Sequence, residues 1–238
     1  MKGPAVITAR PAAFTLVELL VVVALIAGAS FLLLSGLGGG DKSAALQSSQ
    51  ATIANLVTAA RMQASSTGRK ARLLVNADPA QPGRYLRFVA LQLARQPGAS
   101  PANWDTVQSL FLPLGIYVVP GSLEGLVGEP SAWKRSSDLS TDLASDLFAN
   151  QSLAYVFDGD TAAQLWTGVA FTPNGTLAAL AGGPPPKGAW VIAVGQSRPP
   201  GSYATGLPPV RLDEPARVRG LMLSAYGVPA WCDDRSAF

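Results

Sequence analysis

From Phe14 to about Leu37 the chain is almost wholly apolar or small, and Glu18 is the only charge in that run. Coiled as an α-helix at roughly 1.5 Å per residue, the run is long enough to cross a hydrocarbon core of about 30 Å. A carboxylate placed one turn into such a helix costs on the order of 2.5–3.5 kcal/mol by insertion scales. Nothing within the run compensates for it, so Glu18 implies a partner from outside the chain. A secretory signal core is shorter, about 7–15 residues before a small-x-small site, and avoids such an acid. A plain anchor accounts for the length and leaves Glu18 unexplained.

The remainder of the chain, which has 238 residues in all, is large enough for one domain with its own core. Charged residues make up 14% of the chain, well below the roughly 25% of ordinary globular proteins. The apolar helix explains only part of that deficit; the remainder is rich in Gly, Pro, Ser and Ala, as short strands joined by turns would be. The formal net charge of +3 does not by itself point to nucleic acid. With no histidine and Cys232 as the only cysteine, histidine-based acid–base catalysis, the usual zinc ligand sets and an intramolecular disulfide are all excluded. Cys232 itself reads as a passive near-surface residue.

Lys2 and Arg10 precede the apolar helix, which keeps the N-terminus cytoplasmic and exports the C-terminal part of the chain. Gly36, Gly38, Gly39 and Gly40 should bend or unwind the helix at its exit, since each glycine costs roughly 1 kcal/mol. Asp41-Lys42-Ser43 lacks the glycine that a phosphate-binding loop needs before its lysine, so Asp41 reads as a helix N-cap. From Lys42 to Thr67, Leu46, Ile53, Leu56, Val57, Ala60 and Ala64 recur at three- and four-residue steps, the apolar face of an amphipathic helix. Gly68 fits its C-terminal cap.

Beyond Gly68 the pattern predicts strands over 69–75, 84–94, 116–119, 153–157, 167–171, 176–180, 189–195 and 217–224. Leu139, Leu143 and Leu147 predict a short helix within 138–150, and Pro173-Asn174-Gly175 a hairpin. Strands without alternating helices give an antiparallel α+β head.

The pattern Phe14-Thr15-Leu16-Val17-Glu18-Leu19-Leu20 opening an unbroken apolar helix resembles the N-terminus of type IV pilins and of the pseudopilins of type II secretion systems. The resemblance implies a pilin-like α+β fold: a long N-terminal helix, transmembrane then amphipathic, packed on an antiparallel β-rich head. Residues 1–13 would be a prepilin leader, 14–37 the transmembrane assembly helix, 38–68 the amphipathic half of the spine, and 69–238 the head, with an insertion at about 97–152. A prepilin peptidase would cut between Ala13 and Phe14, whose amine is then methylated; the family usually has Gly before the cut, where this chain has the equally small Ala13. Glu18 would be the fifth mature residue and the assembly contact. Implied partners are other pilins through the N-terminal helix, the peptidase and an inner-membrane assembly platform, with the head periplasmic. Ala60-Arg61-Met62-Gln63-Ala64 running through Gly68-Arg69-Lys70, Val169-Ala170-Phe171-Thr172-Pro173-Asn174-Gly175, and Arg217-Val218-Arg219-Gly220-Leu221 are similar to the minor pseudopilin H and minor pilin T group. That narrows the expectation to a minor pseudopilin that initiates or caps a pseudopilus for protein export. The alternatives are a minor type IV pilin that binds DNA for uptake, or a pilin-like protein of an uncharacterised cassette.

An enzyme is not expected: there is no Gly-x-Ser-x-Gly elbow and no histidine for a triad, and no cofactor or metal is implied. Asp158-Gly159-Asp160 lacks the late acid of an EF-hand loop, position twelve being Val169, and reads as a turn. For the DNA alternative the candidate phosphate contacts are Arg211, Arg217 and Arg219, or Arg69, Lys70 and Arg72, each sequence-independent and salt-sensitive. Asp213 and Glu214 interrupt the first set.

Overall fold

A computed structural model describes residues 16–95, 104–135 and 141–238, with side chains from residue 42 onward except at 203–205. The chain forms one α-helix and antiparallel β-sheets, an α+β fold, and divides into two compact units, Met1–Asp41 and Lys42–Phe238. Among the described residues no helix is long and apolar enough to cross a membrane. The leader at 1–13 with Ala13, the cleavage point at Phe14, and the side chains of the span expected over 14–37, Glu18 included, lie outside the described residues.

Helix α1 runs Leu16–Thr67. Its backbone stays helical across the glycines at 36–40, where unwinding was expected. The backbone of Asp41 therefore lies inside the helix rather than at its start. The helix stops where the sequence predicts, because Gly68 takes a left-handed φ of +64° that suits glycine at a helix C-terminus. Leu46, Ile53, Ala54, Leu56, Val57, Ala60 and Ala64 are all buried along one stripe.

Two sheets receive that stripe. Strands β1 (Ala71–Asn76), β2 (Phe88–Ala94), β3 (Trp104–Phe111), β5 (Ser152–Tyr155), β6 (Gln164–Phe171) and β7 (Leu177–Ala178) form the first, in the order β3-β2-β1-β6-β5 with β7 also on β6. Strands β4 (Ile116–Val118), β8 (Gly188–Ser197), β9 (Val210–Leu212), β10 (Val218–Leu223) and β11 (Pro229–Cys232) form the second, ordered β11-β10-β8-β4 with β9 on β8. Alternate residues of each, such as Leu73, Val75, Leu91 and Val169 in the first and Trp190, Ile192 and Leu221 in the second, share one core with the helix stripe.

The opposite faces are covered as well. Leu74, Phe88, Tyr155, Phe157 and Trp166 form an aromatic cluster behind the first sheet, and Tyr117, Val191, Val218, Leu126 and Trp133 a second cluster behind the other. Both faces of β1 and β2 are buried at every position, and the strands read as largely apolar runs, broken by Arg72, Asn76 and Gln92, rather than alternating ones. Leu86 bridges the sheets through its backbone: its N–H donates to Asn76 O of β1 at 2.8 Å, and its carbonyl accepts from Val118 N of β4 at 2.8 Å.

Several local expectations change. The predicted strand over 84–94 begins only at Phe88, because 84–87 form a hydrogen-bonded turn, Phe88 N donating to Arg84 O. Within 138–150 the described part holds only a 3-10 turn at Asp146–Phe148; Leu143 and Leu147 are buried through an irregular segment, and Leu139 lies outside the described residues. The stretch 97–152 supplies β3 to one sheet and β4 to the other. Strands β3, β9 and β11 have no counterpart among the sequence expectations. The 173–175 hairpin forms, with Gly175 N donating to Thr172 O and β7 pairing with β6.

Candidate functional site

Two buried polar groupings stand out in a largely apolar core. The first fastens α1 to the second sheet. Gln50, 1% exposed, donates from Nε2 to the carbonyl oxygens of Gly220 (2.9 Å) and Cys232 (3.0 Å), which face each other across β10 and β11. Its Oε1 accepts from Arg219 Nη1 at 3.1 Å, and the same nitrogen reaches Asp233 Oδ1 at 3.0 Å. Both ends of the amide are thus used, and a residue from the middle of the helix is tied to the C-terminal hairpin.

The second grouping lies on the other face of the first sheet. One row crosses five strands in register: Thr106 on β3, Gln92 on β2, Arg72 on β1, Ala170 on β6 and Ala178 on β7. Arg72 is only 2% exposed. Its Nε donates to Gln92 Oε1 at 2.9 Å, and Gln92 Nε2 donates to Thr106 Oγ1 at 3.0 Å. The guanidinium carbon lies 4.2 Å from the ring centre of Trp104 and 4.3 Å from that of Tyr155. Cation–π contact with each ring is worth up to about 2 kcal/mol when desolvated. Burial still pushes the Arg72 pKa down, to about 10, against the opposing influence of Tyr155 and Asp158. The group therefore remains a cation at neutral pH. Arg72 Nη2 and Trp104 Nε1, both shielded from water, have no hydrogen-bond partner among the described residues.

On the other side of Arg72 the alanines of the row leave space. A cleft of about 380 Å³ opens there, lined by Lys70, Arg72, Trp104, Leu153, Phe171 and Leu180 among others. Beyond Trp104 and Tyr155 a separate cleft of about 480 Å³ is lined by Arg95, Asp158 and Asp160.

The arginines considered for phosphate contacts are disposed differently from one another. Arg217 Nε pairs with Glu214 at 2.9 Å, and Arg219 is held by Gln50 and Asp233. Arg211 is exposed on β9 opposite Gln196, whereas Arg219 sits opposite Ile192, four residues away along β8, or about 13 Å. In the earlier set Arg69 donates to Arg95 O, Lys70 is exposed and Arg72 is buried as described. Asp160 accepts from Arg84 (2.7 Å) and Gln164 (2.9 Å), so the Asp158–Asp160 segment serves as a braced turn. Among the described residues no group of three or more His, Cys, Asp or Glu side chains could hold a metal ion. Cys232, expected near the surface, is buried in β11, and burial pushes its thiol pKa up.

Neither polar grouping was legible as a site in the sequence. Gln50 falls among the polar helix positions there, and Arg72 among strand-exposed cations. A single arginine followed by Leu73-Leu74-Val75 was the one available signal that its strand is buried on both faces. No protein-family model, curated protein or solved structure matches this chain.

Proposed function

We propose that this chain is a pilin-like filament subunit, a minor pseudopilin of a type II secretion-type pseudopilus that acts in filament initiation or at the tip. The observation that carries the reading is a single long helix, α1, whose C-terminal part docks by an apolar stripe on antiparallel sheets, taken with the sequence Phe14-Thr15-Leu16-Val17-Glu18-Leu19-Leu20. Under this reading a prepilin peptidase cuts between Ala13 and Phe14, and the new amine of Phe14 is methylated. Glu18 then pairs with the amine of an adjacent subunit. In a low-dielectric surrounding that pairing offsets the burial of both charges and sets the axial register. The work of the protein is assembly rather than chemistry.

The test is the intact N-terminus of the membrane-extracted protein by mass spectrometry. A chain beginning at N-methylated Phe14 is the expected result; a chain beginning at Met1 overturns the reading. Glu18→Ala should leave membrane insertion intact and stop incorporation into filaments, and normal incorporation would sink the pairing.

A further inference from the structure

We propose that the cleft over Arg72 is a binding site for an apolar monocarboxylate, either a free acid or the C-terminal residue of a polypeptide. The proposal stands on the geometry of the first sheet and is independent of the filament reading.

A buried charge is normally paired or fully hydrogen-bonded. Arg72 is buried, its Nε donates to Gln92, and the Tyr155 side chain also supports the cation. Among the described residues no ion pair includes it. The Trp104 ring stabilises the cation without using its N–H groups, because a π face receives the charge and not the hydrogen. Among the described residues Nη2 is a charged donor without an acceptor, and Nε1 of the flanking Trp104 ring is a second donor in the same condition. Both residues line the same cleft.

The chemistry of the missing acceptor is set by the donors and the walls. An unpaired guanidinium N–H suits a carboxylate oxygen, and the indole N–H of Trp104 is a further donor on the same cleft. Among the described residues no acidic side chain lines this cleft, and Lys70 adds a second positive charge to it. No helix N-terminus lines the cleft to favour a phosphate. Apart from Thr172 and Gly182, the remaining walls, Leu153, Phe171, Leu180 and the alanines, are apolar and suit an aliphatic or aromatic body. The volume of about 380 Å³ falls at the small end of the roughly 300–1,000 Å³ usual for ligand sites. The neighbouring cleft, bearing Asp158 and Asp160, would repel the same ligand, so the carboxylate is directed to one side of the Trp104–Arg72–Tyr155 stack.

The experiment uses the full chain in detergent, with N-acetyl-leucine as the probe and titration calorimetry as the readout. N-acetyl-leucine should bind saturably, with N-acetyl-leucinamide and inorganic phosphate each at least tenfold weaker. Arg72→Met keeps the bulk and removes the charge, and Trp104→Phe keeps a ring over Arg72 and removes the indole N–H; each should weaken the acid at least threefold and leave the amide unchanged. Should Arg72→Met fail to fold, Trp104→Phe and the exposed Lys70→Gln carry the same comparison. Hexanoate binding tighter than N-acetyl-leucine assigns the site to free acids, and the reverse order assigns it to chain termini. Equal affinity for acid and amide, phosphate binding as tight as the acid, unaltered binding in Trp104→Phe, or no saturation by about 10 mM acid (well above the affinity of a typical metabolite site) overturns the proposal.

Discussion

Replacing Gln50 by leucine should undock the middle of α1 from the second sheet without changing the volume of the core. The native amide makes two hydrogen bonds to strand carbonyls, at 2.9 and 3.0 Å, and accepts one from the Arg219 guanidinium at 3.1 Å. Each neutral bond contributes about 0.5–1.5 kcal/mol net and one to a charged partner about 1.5–3 kcal/mol. Leucine returns part of that through better apolar burial, on the order of 1 kcal/mol. The expected net loss is about 3 kcal/mol.

All five tryptophans, at 104, 133, 166, 190 and 231, lie after α1, so urea unfolding of the detergent-solubilised chain tracked by fluorescence reads the β-rich unit directly. With a slope of about 2–3 kcal/mol per molar, the midpoint should fall by about 1 M. Gln50→Glu should be worse at neutral pH, because carboxylate oxygens would then face the carbonyl oxygens of Gly220 and Cys232. That variant should recover as the pH falls and the buried carboxyl takes up a proton it can donate. A Gln50→Leu loss below about 0.5 kcal/mol, within the scatter of ordinary surface substitutions, would refute the assignment of Gln50 as the fastening between helix and hairpin.

Gly168 on β6 lies so close to β1 that a Cβ there would sit 2.0 Å from Leu73 O, backbone against backbone. Gly168→Ala should cost at least about 3 kcal/mol or abolish the folded yield, measured by the same unfolding assay. Tyr85 is buried, and burial pushes its phenol up to about 12 from an ordinary 10. The unfolded chain therefore loses that proton first, and the contribution of Tyr85 to stability is lost as pH rises from about 10 through 12. Two pKa units correspond to about 2.7 kcal/mol, so Tyr85→Phe should flatten the alkaline fall in stability by that order; parallel curves for the two proteins refute it. Arg219→Ala should lower stability by about 1–3 kcal/mol by freeing Gln50 and Asp233, and duplex DNA titrations should show no salt-steep binding for the Arg217→Ala, Arg219→Ala pair to abolish. Binding that disappears in that pair would restore the DNA-uptake alternative.

The architecture was largely legible because its strongest signals are local. The 3.6-residue stripe from Leu46 to Ala64 and the glycine at 68 set the helix face and its end, and Asn174-Gly175 set a hairpin. The misplaced pieces share one cause, which is that tertiary burial overrode local pattern. Leu139, Leu143 and Leu147 have helical spacing, yet Leu143 is buried behind the second sheet from an irregular segment and Leu147 enters the shared core from a 3-10 turn. Strand β3 is mostly exposed and polar, with Gln108 and Ser109 in its middle, so it lacks the apolar alternation that marks a strand. Strands β9 and β11 are three and four residues long, too short for any periodicity to register. The polar groupings were hidden for a related reason: a lone Gln or Arg in an amphipathic pattern reads as solvated unless both faces of its element are known to be covered.

The two groupings then differ in a way that separates scaffold from site. Around Gln50, among the described residues, no buried polar side-chain atom is left without a partner: the amide, the guanidinium of Arg219 and the carboxylate of Asp233 are joined to one another and to the strands. A network so closed can gain nothing from a ligand and serves to fix where the helix lies. Around Arg72 the same kind of network runs from Thr106 through Gln92 and stops, and past it the row continues as Ala170 and Ala178. If Arg72 served only stability, an apolar residue of similar size would do as well or better, since replacing buried charge by packed hydrophobic side chains is often neutral or stabilising by about 1–4 kcal/mol. Arg72→Met should accordingly unfold at the same or higher urea concentration than the native chain while losing the carboxylate. That opposition between stability and binding is what a site built at the expense of the fold predicts, and a variant that lost both together would place Arg72 with Gln50 as scaffold.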